Sequence, residues 1–267
     1  MGKYGKTLIK GFVIGATMTV PGVSGGSMAM VLGIYDRLLK HVSEITKYPK
    51  ESLTFLFWFV AGAGSGAFLL SGTITWLLTT RAEAVLRFFF LGAVAGGIPM
   101  ILKSASVSRI RGREVICIFT GILTALLIAL IPEGLFAPGT KNSLFDLFFQ
   151  LAGGFIIAVA LVLPGISASQ MLYMLGIYES TLKAVSHLEV LALLPLAVGG
   201  IIGTYLTARI LEQLIKKHRE ATFLMILGFM LASLPELLPA HLIQQNLLLC
   251  GIALAAGFMS IYFVTLK

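Results

Sequence analysis

Two short stretches hold the side chains best suited to grip a ligand. Ser24 and Ser27 follow Pro21-Gly22 and flank Gly25 and Gly26, while Ser167, Ser169 and Gln170 follow Pro164-Gly165. Hydroxyl and amide groups donate and accept hydrogen bonds without carrying charge, and glycine lets backbone N–H groups approach a ligand closely. At helix starts such a neutral cradle suits a cluster of anionic oxygens such as phosphate. The competing reading is that these serines satisfy one another and the broken backbone, as polar groups between membrane helices often do. Two stretches of matching sequence favour the ligand. Other chemistries find little footing. His41, His187, His218 and His241 sit in loops or at span ends without partners at ligand spacing, so no metal or other cofactor is expected. Cys117 and Cys250 read as small apolar helix residues, not a redox pair.

These stretches need elements to hold them. The chain of 267 residues is 57% hydrophobic and 12% charged with a net charge of +8, where a soluble domain carries about 25% charged residues. A soluble globule is excluded. Cations at the ends of apolar runs set membrane orientation, so no nucleic-acid partner is expected; the partner is the bilayer. A span takes about 20 apolar residues, and six segments qualify: 53–78, 85–103, 114–131, 190–210, 221–238 and 242–266. Two further segments, 8–39 and 147–182, contain apolar arms that Pro-Gly cuts short. Ten helical residues rise about 15 Å, half of a hydrocarbon core. Broken backbone at that depth survives only where protein or a watery cavity satisfies it.

The two broken segments are copies. Gly11–Lys40 and Gly154–Lys183, aligned at a constant offset of 143, match at 13 of 30 positions, including both Pro-Gly pairs, Ser24 with Ser167, and the Leu-Gly-Ile-Tyr runs. Gly62 and Gly66 are echoed by Gly199 and Gly203, a stripe that reads as close helix packing. The chain is therefore expected to be one all-α membrane domain of two repeats, 1–143 and 144–267, each a re-entrant helical hairpin plus three transmembrane helices. Three crossings per half invert the second repeat relative to the first. With both termini cytoplasmic, 16 of the 20 Lys and Arg lie inside and only Arg81, Arg87, Lys141 and Lys183 outside, as the positive-inside bias demands. Inverted repeats with discontinuous helices build secondary transporters around a central site. The two tips, 21–27 and 164–170, are expected to face each other within about 10 Å, one helix diameter.

Val20-Pro-Gly-Val-Ser-Gly-Gly-Ser-Met with Leu32-Gly-Ile-Tyr-Asp, and Leu163-Pro-Gly-Ile-Ser with Leu175-Gly-Ile-Tyr-Glu, resemble the paired signature of the bacterial polyprenyl-phosphate transporter family. The resemblance covers essentially the whole chain. It implies a multi-pass protein of the bacterial inner membrane, not an enzyme, that returns undecaprenyl phosphate from the outer to the inner leaflet. It places substrate-binding positions at Pro21, Gly22, Ser24, Gly25, Gly26, Ser27, Pro164, Gly165 and Ser167. Many members carry an acid three residues before the first proline, where this chain has Met18, and their second tip often reads Ser-Gly-Ser in place of Ser167-Ala168-Ser169. That leaves the first tip without a carboxylate to relay protons. Two other readings stay open: a secondary transporter of a small anion or solute, and an undecaprenyl pyrophosphate phosphatase-like membrane enzyme. The last needs a nucleophile or base and an arginine, and neither tip holds Asp, Glu, His, Lys or Arg.

Three charged residues outside the tips complete the expected site. Arg81 and Arg87 are outer-side cations that the positive-inside bias would normally remove, so they are expected to recruit the phosphate, against the alternative of interfacial anchors with Glu83 as a partner. Moving one negative charge inward against an inside-negative potential costs about 2.3 kcal/mol per 100 mV. Protons are therefore the expected coupling ion. Glu236, an acid at a span end beside Pro235, is the candidate carrier, against the alternative that it marks the outer interface.

Overall fold

The structure, a computed structural model, describes residues 3–107, 111–132, 143–187, 189–239 and 246–265. These residues form twelve α-helices and no strand: α1 (Lys3–Thr17), α2 (Gly25–Val31), α3 (Tyr35–Ser43), α4 (Pro49–Leu78), α5 (Glu83–Ser104), α6 (Gly112–Ala129), α7 (Ser143–Val162), α8 (Ala168–Met174), α9 (Tyr178–Ser186), α10 (Val190–Lys217), α11 (Arg219–Ser233) and α12 (Leu247–Thr265). A 3-10 turn, Leu234–Leu237, extends α11. Five of these segments are long and apolar enough to cross a bilayer: α4, α5, α6, α10 and α11 with its turn. The sixth expected span is a shorter apolar helix within α12, and residues 242–245 and 266 of the expected 242–266 lie outside the described residues.

Each broken segment is a long helix, a sharp turn and two short helices, and local chemistry explains every break. A proline disfavours helix in the residue before it and cannot donate to the ladder, so α1 stops ahead of Pro21 and α7 ahead of Pro164. Thr17 Oγ1 and Thr19 Oγ1 donate to the Ile14 and Ala16 carbonyls at 2.8 and 2.7 Å, in the last turn of α1. Gly22 and Gly165 then take φ of 84° and 83°, a region that only glycine occupies cheaply. Ser24 and Ser167 cap the next helices by accepting from Ser27 N and Gln170 N. The Leu-Gly-Ile runs close those helices identically. Ile34 N donates to Ala29 O and Gly33 N to Met30 O, while Ile177 N donates to Leu172 O and Gly176 N to Tyr173 O, the Schellman bond pair.

Helix pairing repeats as well. α1 packs on α4 and α7 on α10; α5 packs on α12 and α6 on α11. All four pairs run parallel. Leu8 and Phe12 face Gly62 and Gly66; Leu151 and Phe155 face Gly199 and Gly203; Gly92 and Gly96 face Leu254 and Phe258; and α6 meets α11 first at Gly121 and Met225, then at Ala129 and Glu236. A Cβ at Gly62, Gly66 or Gly199 would strike a partner backbone carbonyl, so the glycine stripe is a helix-packing seam. The core gathers around α2, α5 and α11, where Val31, Ile101, Phe223, Leu224 and Met230 are buried. Many large apolar side chains of α4 and α10 point outward instead, with Phe68 84% and Leu191 86% exposed, although Phe55, Leu211 and Ile215 join the core. The molecule is a multi-pass membrane protein whose outer face is built for lipid.

The two halves are not posed alike. α3 packs against α10, but among the described residues α9 makes no comparable contact with α4. The α3 contact lies at the far end of α10, where Ser43 Oγ donates to Glu212 Oε2 at 2.5 Å and Lys216 Nζ reaches Glu212 at 2.7 Å and Glu44 at 3.9 Å. α9 precedes the other end of α10, at Val190. From Val190 to Glu212 is 22 residues of helix, about 33 Å.

Candidate functional site

The tips touch. Gly165 N donates to Ser24 Oγ at 3.1 Å across 141 residues of sequence. A Cβ on Gly26 would stand 3.1 Å from the Pro164 backbone, so glycine is what lets the two turns meet. Ser24 Oγ also accepts from Ser27 N at 3.0 Å and lies 2.7 Å from Ser27 Oγ. A hydroxyl has two acceptor sites and one proton. With both acceptor sites filled by N–H groups, Ser24 gives its proton to Ser27. In the first tip Ser24 and Ser27 thus satisfy each other and the broken backbone, as the competing reading has it, and Ser24 also binds the second tip.

Beside this junction lies a pocket of about 200 Å3. Ser24 and Gly25 line it from the first tip, Ser167 and Ala168 from the second, and Met18, Val23, Ala160, Leu161 and Ile166 complete the wall. Its described lining holds no ionisable side chain. Met18 occupies the position where the family pattern has an acid, and its Sδ packs beside Gly25. Pro21 is exposed, whereas Pro164 is fully buried against the first tip. Ser27 is 4% exposed and packs behind the junction. The side chain of Ser169 lies outside the described residues.

The structure brings two of the three outlying charged residues to the tips. Glu236 sits over the first: a Cβ on Gly22 would be 3.1 Å from Glu236 Cβ. It also lines a crevice of about 30 Å3 with Gly165 and Gln170 of the second tip and with Ser233. Space for one water needs about 10–15 Å3. Arg87 Nη1 donates to the Glu236 carbonyl at 3.1 Å and Arg87 Nε to Glu83 Oε1 at 2.9 Å, leaving the side chain 16% exposed. The Glu83 partnership of the alternative reading is thus present, and Arg87 braces the turn above the first tip. Arg81 stands exposed in the turn between α4 and α5.

Of the histidines, His41 stacks on Phe55 with centroids 4.2 Å apart, and His241 lies outside the described residues. Among the described residues no three His, Cys, Asp or Glu side chains gather for a metal. Cys117 and Cys250 are both free.

Sequence reasoning missed Tyr35. It is 4% exposed and its hydroxyl donates to the Val162 carbonyl at 2.8 Å, tying the first hairpin to the end of α7. The repeated Leu-Gly-Ile-Tyr was the available signal, since glycine and turn chemistry need no tyrosine. The wall residue Leu161 was also missed, because an apolar side chain in an apolar run carries no mark of facing a pocket.

A model of the VCA0040-like, undecaprenyl phosphate translocase-like family matches residues 14–248, through both tips and all but the ends of the helical chain. The chain belongs to this family. A polyprenyl-phosphate transporter of Vibrio cholerae serotype O1 is 29% identical over 250 residues, covering 88% of this chain and 78% of that protein. A polyprenyl-phosphate transporter of Staphylococcus aureus is 29% identical over 244 residues, covering 87% of this chain and 85% of that protein. No solved structure matches the chain.

Proposed function

We propose that the chain carries polyprenyl phosphate across the bilayer, from the outer to the inner leaflet, with the phosphate passing through the pocket between the tips. The observation that carries this is the joint pocket: Ser24 and Ser167, from tips 143 residues apart, line one space with hydroxyls and glycine backbone. The names of the two relatives agree with it. Gly25 and Ser167 meet the phosphate, joined by Ser24 once its proton turns from Ser27 to the ligand, Pro21, Gly22, Gly26, Pro164 and Gly165 shape the turns, and Ser27 and Gln170 support them, with Ser169 proposed as a further contact. A hydrolase would need a base to activate a nucleophile and a cation at the scissile group, and the described pocket lining holds neither a base nor a cation. A small-anion carrier would not need the apolar groove between α4 and α10, which shares the side chain of Leu161 with the pocket.

The parallel pairs support two inverted halves, 1–143 and 144–267. A hairpin that returns to its own side starts the next span from that side, which sets α1 parallel to α4; a full crossing would set them antiparallel. α7 and α10 follow the same rule. α5 runs parallel to α12, so a chain that turns back between α11 and α12 sets α11 antiparallel to its counterpart α5. The excess of Lys and Arg then puts both termini and α3 on the cytoplasmic side.

A phosphate monoester carries about 1.5 to 2 charges near neutral pH, so inward movement against the potential requires compensation. Glu236, between the tips, is the proposed proton carrier. The test is reconstitution in vesicles with a headgroup-accessibility assay for undecaprenyl phosphate in each leaflet. We expect inward movement that an imposed pH gradient accelerates and Glu236→Gln makes indifferent to pH. Failure to move the lipid sinks the reading; movement that ignores both gradient and potential sinks the coupling alone.

A further inference from the structure

We propose that the isoprenoid tail rides in a lateral groove between α4 and α10 while the phosphate crosses between the tips; this rests on the lipid-phosphate reading above. The groove encloses about 900 Å3, near the top of the range of roughly 300–1,000 Å3 for ligand sites. Its floor is α7, its walls are α4 at Leu56 and Val60 and α10 from Leu193 to Leu206. α3 reaches one end through Val42, and α9 the other through Thr181. Among the described residues no charged side chain lines it. The fourteen residues of α10 from Leu193 to Leu206 give it a length of about 20 Å, two-thirds of a core of about 30 Å.

What assigns the occupant is continuity. Leu161 of α7 lies in the wall of both the groove and the tip pocket, so the polar and apolar spaces meet at one side chain. A ligand with its phosphate between Ser24 and Ser167 has this apolar way out past Leu161. The groove is deep because small residues line it: a Cβ on Gly200 would meet nothing nearer than the Gly154 carbonyl at 3.8 Å, and Ala158 and Ala197 also form part of the lining. An apolar chain gains no hydrophobic energy on leaving lipid for protein. The groove therefore guides the tail and sets chain-length preference, with little effect on how tightly the phosphate is held.

Ala197 is exposed in the groove wall, so a large side chain there fills space without entering the core. Ala197→Trp and the wild-type full chain are reconstituted in vesicles, and the transport rates of undecaprenyl phosphate and of a two-isoprene prenyl phosphate are compared. We expect the long-to-short rate ratio to fall about tenfold, the order of an overpacked site. An unchanged ratio overturns the groove, whereas a wild-type protein that moves neither phosphate overturns the function on which the groove rests. A second measurement does not depend on the variant. Undecaprenyl phosphate with a photoreactive group in its tail should cross-link to residues 154–161 and 193–206, and unlabelled undecaprenyl phosphate should compete where phosphatidylcholine does not. Equal competition by phosphatidylcholine, cross-links on α6 or α12, or a cross-linked second copy of the chain shielding the groove would each refute the assignment.

Discussion

Ser24 holds three partners with one oxygen, which makes it the most consequential residue of the first tip. Its loss strips the cap from α2, at about 1 kcal/mol, and leaves Gly165 N–H without its partner, at about 1–3 kcal/mol. Ser24→Ala should therefore lower thermal stability in detergent more than Ser167→Ala, whose cap bond to Gln170 N is the longer of the two, 3.5 Å against 3.0 Å. Equal losses would mean that the junction between the tips contributes nothing. Arg87 and Arg81 separate in the same way. Arg87 is mostly buried and bonded to Glu83 and to the Glu236 carbonyl, so Arg87→Gln should destabilise by about 1–3 kcal/mol and impair transport with it. Arg81→Gln, at an exposed position, should leave the melting temperature in place; if outer-leaflet lipid capture also stays unchanged, Arg81 is an anchor and no recruiter.

At the level of elements, most of the fold was legible because local chemistry decides it. Pro-Gly ends α1 and α7, Ser restarts the chain, and Leu-Gly-Ile closes α2 and α8 with the same bond pair. The boundaries drifted where polar residues extend a helix beyond the apolar run. α10 continues to Lys217, with Glu212 and Lys216 paired at i and i+4, and α11 gives way after Ser233 to the 3-10 turn that contains Pro235. What no local signal carries is which distant group each copy meets. Tyr35 and Tyr178 occupy the same place in the repeated motif, yet Tyr35 bonds the Val162 carbonyl while Tyr178 stacks on Tyr173 at 3.9 Å. Tyr35→Phe should therefore destabilise the conformation described here by about 1 kcal/mol, and Tyr178→Phe should not. If the halves exchange roles during transport, both substitutions should slow turnover, because each tyrosine latches one of the two states. A Tyr178→Phe protein with wild-type turnover would deny Tyr178 that role.

At the scale of the whole molecule, the unequal halves carry the last argument. α3 is fastened to α10 through Ser43, Glu44, Glu212 and Lys216, and Arg219 Nε, just beyond, donates to the Ser104 carbonyl at 2.6 Å. Nothing comparable fastens α9 to α4 among the described residues, and the long groove opens along that flank. If the halves are inverted copies, as proposed, one of two exchangeable poses is on view: closed at the α3 end and open toward the α9 end. A carrier cannot move its cargo while one end stays shut, so fixing the α3 contact should stop transport without unfolding anything. Cysteines at positions 43 and 212, in a chain with Cys117 and Cys250 replaced by alanine, provide the test. Joining them with a short bis-maleimide should abolish undecaprenyl phosphate movement, while the singly substituted controls, treated alike, should keep it. The lipid should still reach the tips from the open end, so photo-labelling of the groove should persist in the locked protein. Transport that continues with the bridge in place would mean that α3 need not leave α10, and the alternating scheme would be wrong.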